Sequence, residues 1–195
     1  MIAVINTPPE LYPVSLSELK THLRIDAGTI DDEVSESNRL DMIRLAAIDA
    51  VEQMTARKLL TQTWDYYLNA WPSGDAIKLP FGRLQSVASV SYKDDDGDET
   101  TLTVNTDYLV ETNGDAIGRL VLPDDTTWPS STLYPSNPIK ARFVCGWTAA
   151  ASVPHQLRSA VLLMAEKIFY NGDVPDGFND AVDTLTANYR LWDEF

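Results

Sequence analysis

The spacing of apolar residues changes twice along this chain, and those two changes constrain the fold more than anything else in it. Residues 1–13 are Pro-rich and expected to be extended, and from Val14 to Arg57 the apolar residues recur at helical spacing. From Gln62 to about Trp147 they alternate or cluster with aromatic and β-branched residues, and after Gly146 the helical spacing returns. The pattern predicts an α+β fold: a helical bundle formed by the N- and C-terminal helices, with an inserted antiparallel β meander or sandwich-like region. At 195 residues the chain is expected to form a single domain, 1–195. Its parts are helices over 14–60, the β insertion over 62–147, a buried helix over 152–170 and a C-terminal docking segment over 178–195.

The local signals are specific. Ser15-x-x-Glu18 has capping-box spacing, and Leu16, Leu19 and Leu23 fall on one face of the short helix that follows. His22 is expected at the surface or edge of that helix; no cysteine or second histidine lies at metal-ligand spacing from it. Ala27 to Asp32 is a break that leads into a helix over about 33–57. There Leu40, Ile43, Ala47, Val51 and Met54 form one stripe, Leu45 and Ile48 sit to one side, and Met42 points nearly opposite. This apolar arc is wider than one core needs. Met42, Leu45 and Ile48 are therefore candidates for burial on a second side of the helix or for contact with a neighbouring subunit.

In the middle region strands are expected over 63–68, 76–80, 87–92, 102–104, 108–110, 119–122 and 139–144. Lys93 to Asp98 reads as a turn with Gly97 at positive φ. Residues 123–138 form a long Ser/Thr/Pro-rich loop carrying Trp128 and Tyr134, and loops of that length are usually functional or disordered. Val153-Pro154 starts a helix, and Ala160 to Ala165 is apolar nearly all round, as in a well-buried helix. Val182, Leu185, Tyr189 and Trp192 recur at helical spacing in a tail that could cap the core or dock on a partner.

Composition excludes several functions. The chain carries 29 acidic and 15 basic side chains, a formal charge of −14, whereas a tight nucleic-acid binder needs basic surface. An acidic wall would instead repel phosphate and leave DNA free to slide. No apolar run is long enough to span a bilayer. Met1 to Pro9 has no basic n-region, so no signal peptide is expected and folding in the cytoplasm is. The single cysteine, Cys145, allows no intrachain disulfide and is expected as a small buried hydrophobe.

No motif supports catalysis, a metal site or a cofactor. Neither histidine stands beside a nucleophile, and there is no Gly-x-Ser-x-Gly and no phosphate loop. Asp94-Asp95-Asp96-Gly97-Asp98-Glu99 lacks the Glu at the twelfth position of a calcium loop, where Asn105 stands, and reads as an acidic hairpin turn.

Taken together, the ordered residues resemble a known family, the phage head–tail connector (adaptor or head-completion) proteins of the longer type with a β insertion. The resemblance runs through Val14-Ser15-Leu16, His22-Leu23-Arg24-Ile25-Asp26 and Asp31-Asp32. It continues through Ala46-Ala47, Val51-Glu52, Thr55-x-Arg57-x-Leu59 and Gln62-Thr63-Trp64, then Leu79-Pro80, Val87-x-Ser89-Val90-x-Tyr92 and Val153-Pro154. It implies a non-enzymatic virion protein of the head–tail junction, made in the host cytoplasm and found in tailed phages and phage-like gene-transfer agents. Such a protein forms a homo-oligomeric ring of about a dozen copies beneath the portal. The ring extends the DNA channel without sequence-specific binding and offers a platform for neck or tail-completion proteins. The resemblance places portal contacts in the C-terminal segment, at Tyr189, Leu191 and Trp192. The 123–138 loop, with Trp128 and Tyr134, and the acidic 93–99 hairpin are the other candidate contacts. The alternative is a β-rich carbohydrate- or calcium-binding module, with Trp64, Trp71, Trp128 and Tyr134 lining the site and Asp94 and Asp96 near it.

Overall fold

Most helices and strands occur where the apolar spacing places them; the exceptions are a strand at Ile2–Thr7, where only extended chain is expected, and the strand expected over 102–104, which lies at Glu99–Leu102. The computed structural model describes residues 1–25 and 33–191, and the expected break at Ala27–Asp32 lies outside them. The chain is α+β and divides into two compact units. Among the described residues, a helical unit is drawn from Leu11–Leu60 and Trp147–Arg190, and a β unit from Met1–Glu10, Thr61–Gly146 and Leu191.

In the helical unit, α1 spans Leu16–His22 and begins with the expected capping box. The Glu18 amide donates to Ser15 Oγ (3.1 Å), and the Ser15 amide donates to the Glu18 carboxylate (2.8 Å). That second bond holds the Glu18 carboxyl below its ordinary range. α2 spans Glu33–Thr55 and buries Leu40, Ile43, Ala47, Ile48 and Val51 in a core shared with α3 (His155–Phe169) and α4 (Phe178–Ala187). Pro154 stands at the N-cap of α3, one position before the first helical residue, with extended ψ of 137°. α3 contributes Leu157, Ala160, Val161 and Ala165 to that core, while Leu162, Leu163 and Met164 stay half-buried. The expected all-round burial of 160–165 is therefore confined to one side.

Buried polar groups fix the ends of this unit. The Glu52 carboxylate accepts from the Leu59 amide (2.8 Å) and from Lys58 Nζ (2.8 Å), so the chain leaving α2 is held against the helix it came from. Arg44 lies 4.0 Å over the Tyr12 ring, donates to the Val14 carbonyl (3.3 Å) and pairs with Asp41. Trp147 rejoins the unit beside the point of departure: it forms a parallel bridge with Leu60 and donates its amide to the Leu59 carbonyl (3.4 Å).

The β unit contains a five-stranded antiparallel sheet in the order β1-β2-β8-β4-β5. Its strands are β1 Ile2–Thr7, β2 Gln62–Leu68, β4 Leu84–Lys93, β5 Glu99–Leu102 and β8 Ile139–Cys145. A three-stranded sheet, β3-β7-β6, is built from β3 Ala76–Lys78, β6 Leu109–Glu111 and β7 Arg119–Val121. Tyr66, Leu68, Val90, Ile139, Ala141, Phe143 and Cys145 from the larger sheet share one core with Ile77 and Leu120 from the smaller. Gly118 is required there, because a Cβ would lie 2.5 Å from the Leu84 side chain. The turn at 94–98 forms as expected. Gly97 has φ +90° and donates its amide to the Asp94 carbonyl (3.0 Å), and Asp94 Oδ1 accepts from the Asp98 amide (2.9 Å).

The other face of the larger sheet is polar. Asp65 on β2 stands directly opposite Arg142 on β8, which donates to both carboxylate oxygens (2.7 and 2.8 Å), while Asn6 donates to the same group at 3.4 Å. Further along, Glu99 accepts from Ser91 (2.6 Å) and Lys140 (3.1 Å). The Arg142 guanidinium holds the Asp65 carboxyl below its ordinary range, so the pair stabilises the fold above that range and the contribution is lost as pH falls through it. Replacing Asp65 with Asn is expected to cost about 1–2 kcal/mol at pH 7 and to flatten the loss of stability on acidification, measured by urea denaturation from pH 7 to pH 3.

Candidate functional site

The candidate contact residues are distributed between the two units. On α2, Met42 is 71 % exposed and Leu45 37 % exposed, while Ile48 is 8 % exposed and sits in the helical core. The α2 stripe faces α3 and α4, and Ile48 lies close enough to that stripe to be covered with it. Ile48 is thereby withdrawn from the set of subunit-contact candidates, and an apolar pair, Met42 and Leu45, remains on the outer side. A methionine this exposed contributes no core packing and offers a flexible, adaptable contact surface.

In the β unit, the loop at 123–138 is held by its aromatic residue and by backbone. Trp128 stacks on Trp71 at 5.0 Å between centroids and 4° between planes, and its Nε1 donates to the Gly74 carbonyl (3.0 Å). Trp71 in turn meets Tyr92 edge-on at 5.8 Å. The Tyr134 amide donates to the Lys93 carbonyl (3.1 Å), and its ring is exposed beside the Gly97 turn. The loop thus presents Tyr134 next to the acidic hairpin 94–99. Trp64 lies elsewhere, 4.6 Å from the Phe81 ring. The aromatic set of the alternative reading is therefore divided: one tryptophan pairs with Phe81, two are spent on each other, and Tyr134 stands apart.

The C-terminal segment is more deeply built in than a docking tail. α4 buries Val182 and Thr186, and Phe178, Leu185 and Tyr189 pack against the same core. The Tyr189 carbonyl accepts from Arg57 Nε. The expectation that 178–195 is a docking segment is corrected for Phe178–Ala187, because its apolar face lies on α2 and α3 rather than free. Tyr189 and Leu191 are half-exposed and fall in different units. Trp192 lies outside the described residues.

The groups with chemical potential are used structurally. His22 Nε2 is 2.8 Å from the Glu166 carboxylate and links α1 to α3. Cys145 is buried in β8, between Gln62 and Leu84 on the neighbouring strands. Among the described residues, no three His, Cys, Asp or Glu side chains are grouped to hold a metal ion, and no helix is long and apolar enough to cross a membrane.

Sequence comparison is silent: no family model matches the chain, and no curated protein matches it. Solved structures do match. The chain superposes with a TM-score of 0.82 and 23% identity on a chain from the neck of an empty GTA particle computed with C6 symmetry, covering 100% of this chain and 98% of that one. A chain from the virion of a native gene transfer agent (GTA) particle matches over the same shares, with a TM-score of 0.81 and 23% identity. A third, from the neck of a native GTA particle computed with C12 symmetry, gives 0.78 and 22%, again over 100% and 98%. This chain therefore has the fold of those particle chains from end to end.

Because Val182 is a core residue, Val182→Ala is expected to cost about 2 kcal/mol, and truncation after Gly177 to lose most of the cooperative unfolding of the helical unit. Both are read by urea denaturation followed at 222 nm.

Proposed function

We propose that this protein is a structural subunit of a phage-like particle neck: a head–tail connector that assembles as a ring on the portal, continues the DNA channel and carries the next neck or tail-completion protein. The observation that carries this reading is the end-to-end fold match to chains of gene transfer agent particles, which covers 98% of those chains. Two of those necks were computed with C6 and C12 symmetry, which supports a ring of copies. A formal charge of −14 suits a conduit that lets DNA pass without gripping it.

In this reading Met42 and Leu45 lie against the neighbouring copy. Trp128, Tyr134 and the segment at Tyr189 and Leu191 are offered to the portal or to the next neck protein. The work is assembly, and catalysis has no part in it. The protein would reside in the virion neck.

The test is genetic and biochemical. Particles lacking this chain should accumulate filled or emptied heads without tails, and the purified full chain should bind its cognate portal. Heads that still join tails without it, together with no measurable portal affinity, would sink the idea. Met42→Glu combined with Leu45→Glu should leave folding stability within about 0.5 kcal/mol and reduce incorporation into particles, scored by quantitative mass spectrometry of purified heads.

A further inference from the structure

The β unit holds a small polar cleft between the turn at 103–107 and the loop at 123–138. Its volume is ≈ 240 Å³, and Thr106, Asp107, Thr127, Trp128 and Ser130 are among the residues that line it. That is below the range of about 300–1,000 Å³ typical of small-molecule sites, and it suits one long side chain better than a whole ligand. Asp107 is the one charged residue of the lining. The turn fixes its carboxylate: the Asp107 amide donates to the Thr103 carbonyl (2.8 Å), and Asp107 Oδ2 accepts from the Thr103 amide (2.7 Å). Among the described residues Asp107 Oδ1 has no partner. Trp128 is fixed by Trp71, stacked on one face, and by the bond from its Nε1 to the Gly74 carbonyl. Trp71 does not line the cleft, so the Trp128 indole meets it with the rest of its surface.

We propose that this cleft receives an arginine side chain from a basic segment of a partner protein. The guanidinium lies against the Trp128 indole and donates to Asp107 Oδ1 and to the hydroxyls of the lining. This rests on the reading above that the loop at 123–138 meets another neck component, and it names the group that component presents. Charge and hydrogen bonding select the occupant. Both walls come from a stretch, Asp94 to Ile139, with ten carboxylates and one cation, Arg119, which is paired with Glu111. A field of that sign draws a basic segment and turns away an acidic one. Inside the cleft the carboxylate and the hydroxyls all accept hydrogen bonds, and no lining residue carries positive charge. A guanidinium brings five donors in a planar fork and stacks on aromatic rings, whereas an ammonium is a compact, strongly hydrated charge. A metal ion would need more than one carboxylate, and no three candidate ligands are grouped among the described residues.

The full chain, isotopically labelled, is titrated at low salt with acetyl-Gly-Arg-Gly-amide and with its lysine counterpart, and the indole Nε1–H signals are followed by NMR. Trp128→Phe assigns the Trp128 signal. The arginine peptide should shift that signal saturably with a Kd of about 1 mM, and the lysine peptide should bind at least about fivefold more weakly. Asp107→Asn keeps an oxygen for the Thr103 amide and removes the charge, so it should fold as wild type and bind the arginine peptide about fivefold more weakly or worse. Asp95→Asn makes the same change of net charge outside the cleft lining and should bind within about twofold of wild type. The comparison of the two peptides needs no variant, so it decides the matter even if Asp107→Asn unfolds. No saturable shift of the Trp128 signal up to about 10 mM arginine peptide overturns the proposal. So do equal affinities for the two peptides, equal losses in the two asparagine variants, or a shift given by methyl glucoside and not by the arginine peptide. Portal binding and tail joining test the neck reading separately: a chain that binds its portal and ignores arginine loses only this contact, and a chain that takes arginine and is not needed for tail joining loses only the neck role.

Discussion

The helical core depends on a return. The chain leaves it at Leu59 and Leu60, builds most of the β unit, and comes back at Trp147 to the same place, where the bridge to Leu60 and the bond to the Leu59 carbonyl close the gap. Without that closure α2 and α3 could not share a core, since each lies on its own side of the insertion. Closing so long a segment costs entropy that grows only slowly with length, and the buried Glu52 carboxylate fixes the departure by holding Lys58 and the Leu59 amide. The local geometry of four residues thereby permits a β unit of independent design.

Within the β unit a second division of labour appears. One face of the larger sheet supplies the apolar core that it shares with the smaller sheet, and the other carries the Asn6–Asp65–Arg142 cluster and the Ser91–Glu99–Lys140 cluster. Alternation along each strand produces both faces at once. The edges carry what remains: loop 123–138 with its tryptophan stack, and β1 with its exposed isoleucines. Of the candidate contacts, Met42, Leu45 and Tyr134 are exposed, while Trp128 and Tyr189 also pack against a core.

Much of this was legible in the residues. The capping box at Ser15 and Glu18, the Asp-Gly turn at 94–98 and the helix start at Pro154 are local, and local rules place them. Among the described residues, six of the eight strands follow from alternation or β-branched content, while β5, expected over 102–104, is found at Glu99–Leu102. β1 reads only as an extended segment, because an edge exposed on both faces leaves no two-residue period to detect. Ile48 and α4 were ambiguous for another reason: helical spacing says which residues share a face, and only tertiary packing says whether that face meets the core or a partner. The Asp65–Arg142 pair joins residues 77 positions apart, and the register between β2 and β8 that creates it has no trace in either strand alone. The candidate contacts depend least on local pattern, because which exposed side chains meet a partner is decided outside the chain.

The polar sheet face has a consequence for how an acidic protein behaves in salt. Asp65 is matched by Arg142 on the adjacent strand, and Glu99 on β5 by Lys140 on β8, across the intervening β4. These charges cancel in place, so this face contributes little to the long-range field despite its polarity. The net negative charge therefore resides on other surfaces, including the unmatched carboxylates of the 94–98 turn, and mobile ions will gather there first. Raising ionic strength should therefore act most on those unpaired carboxylates and less on the matched pairs of the sheet face, where opposite charges already sit together.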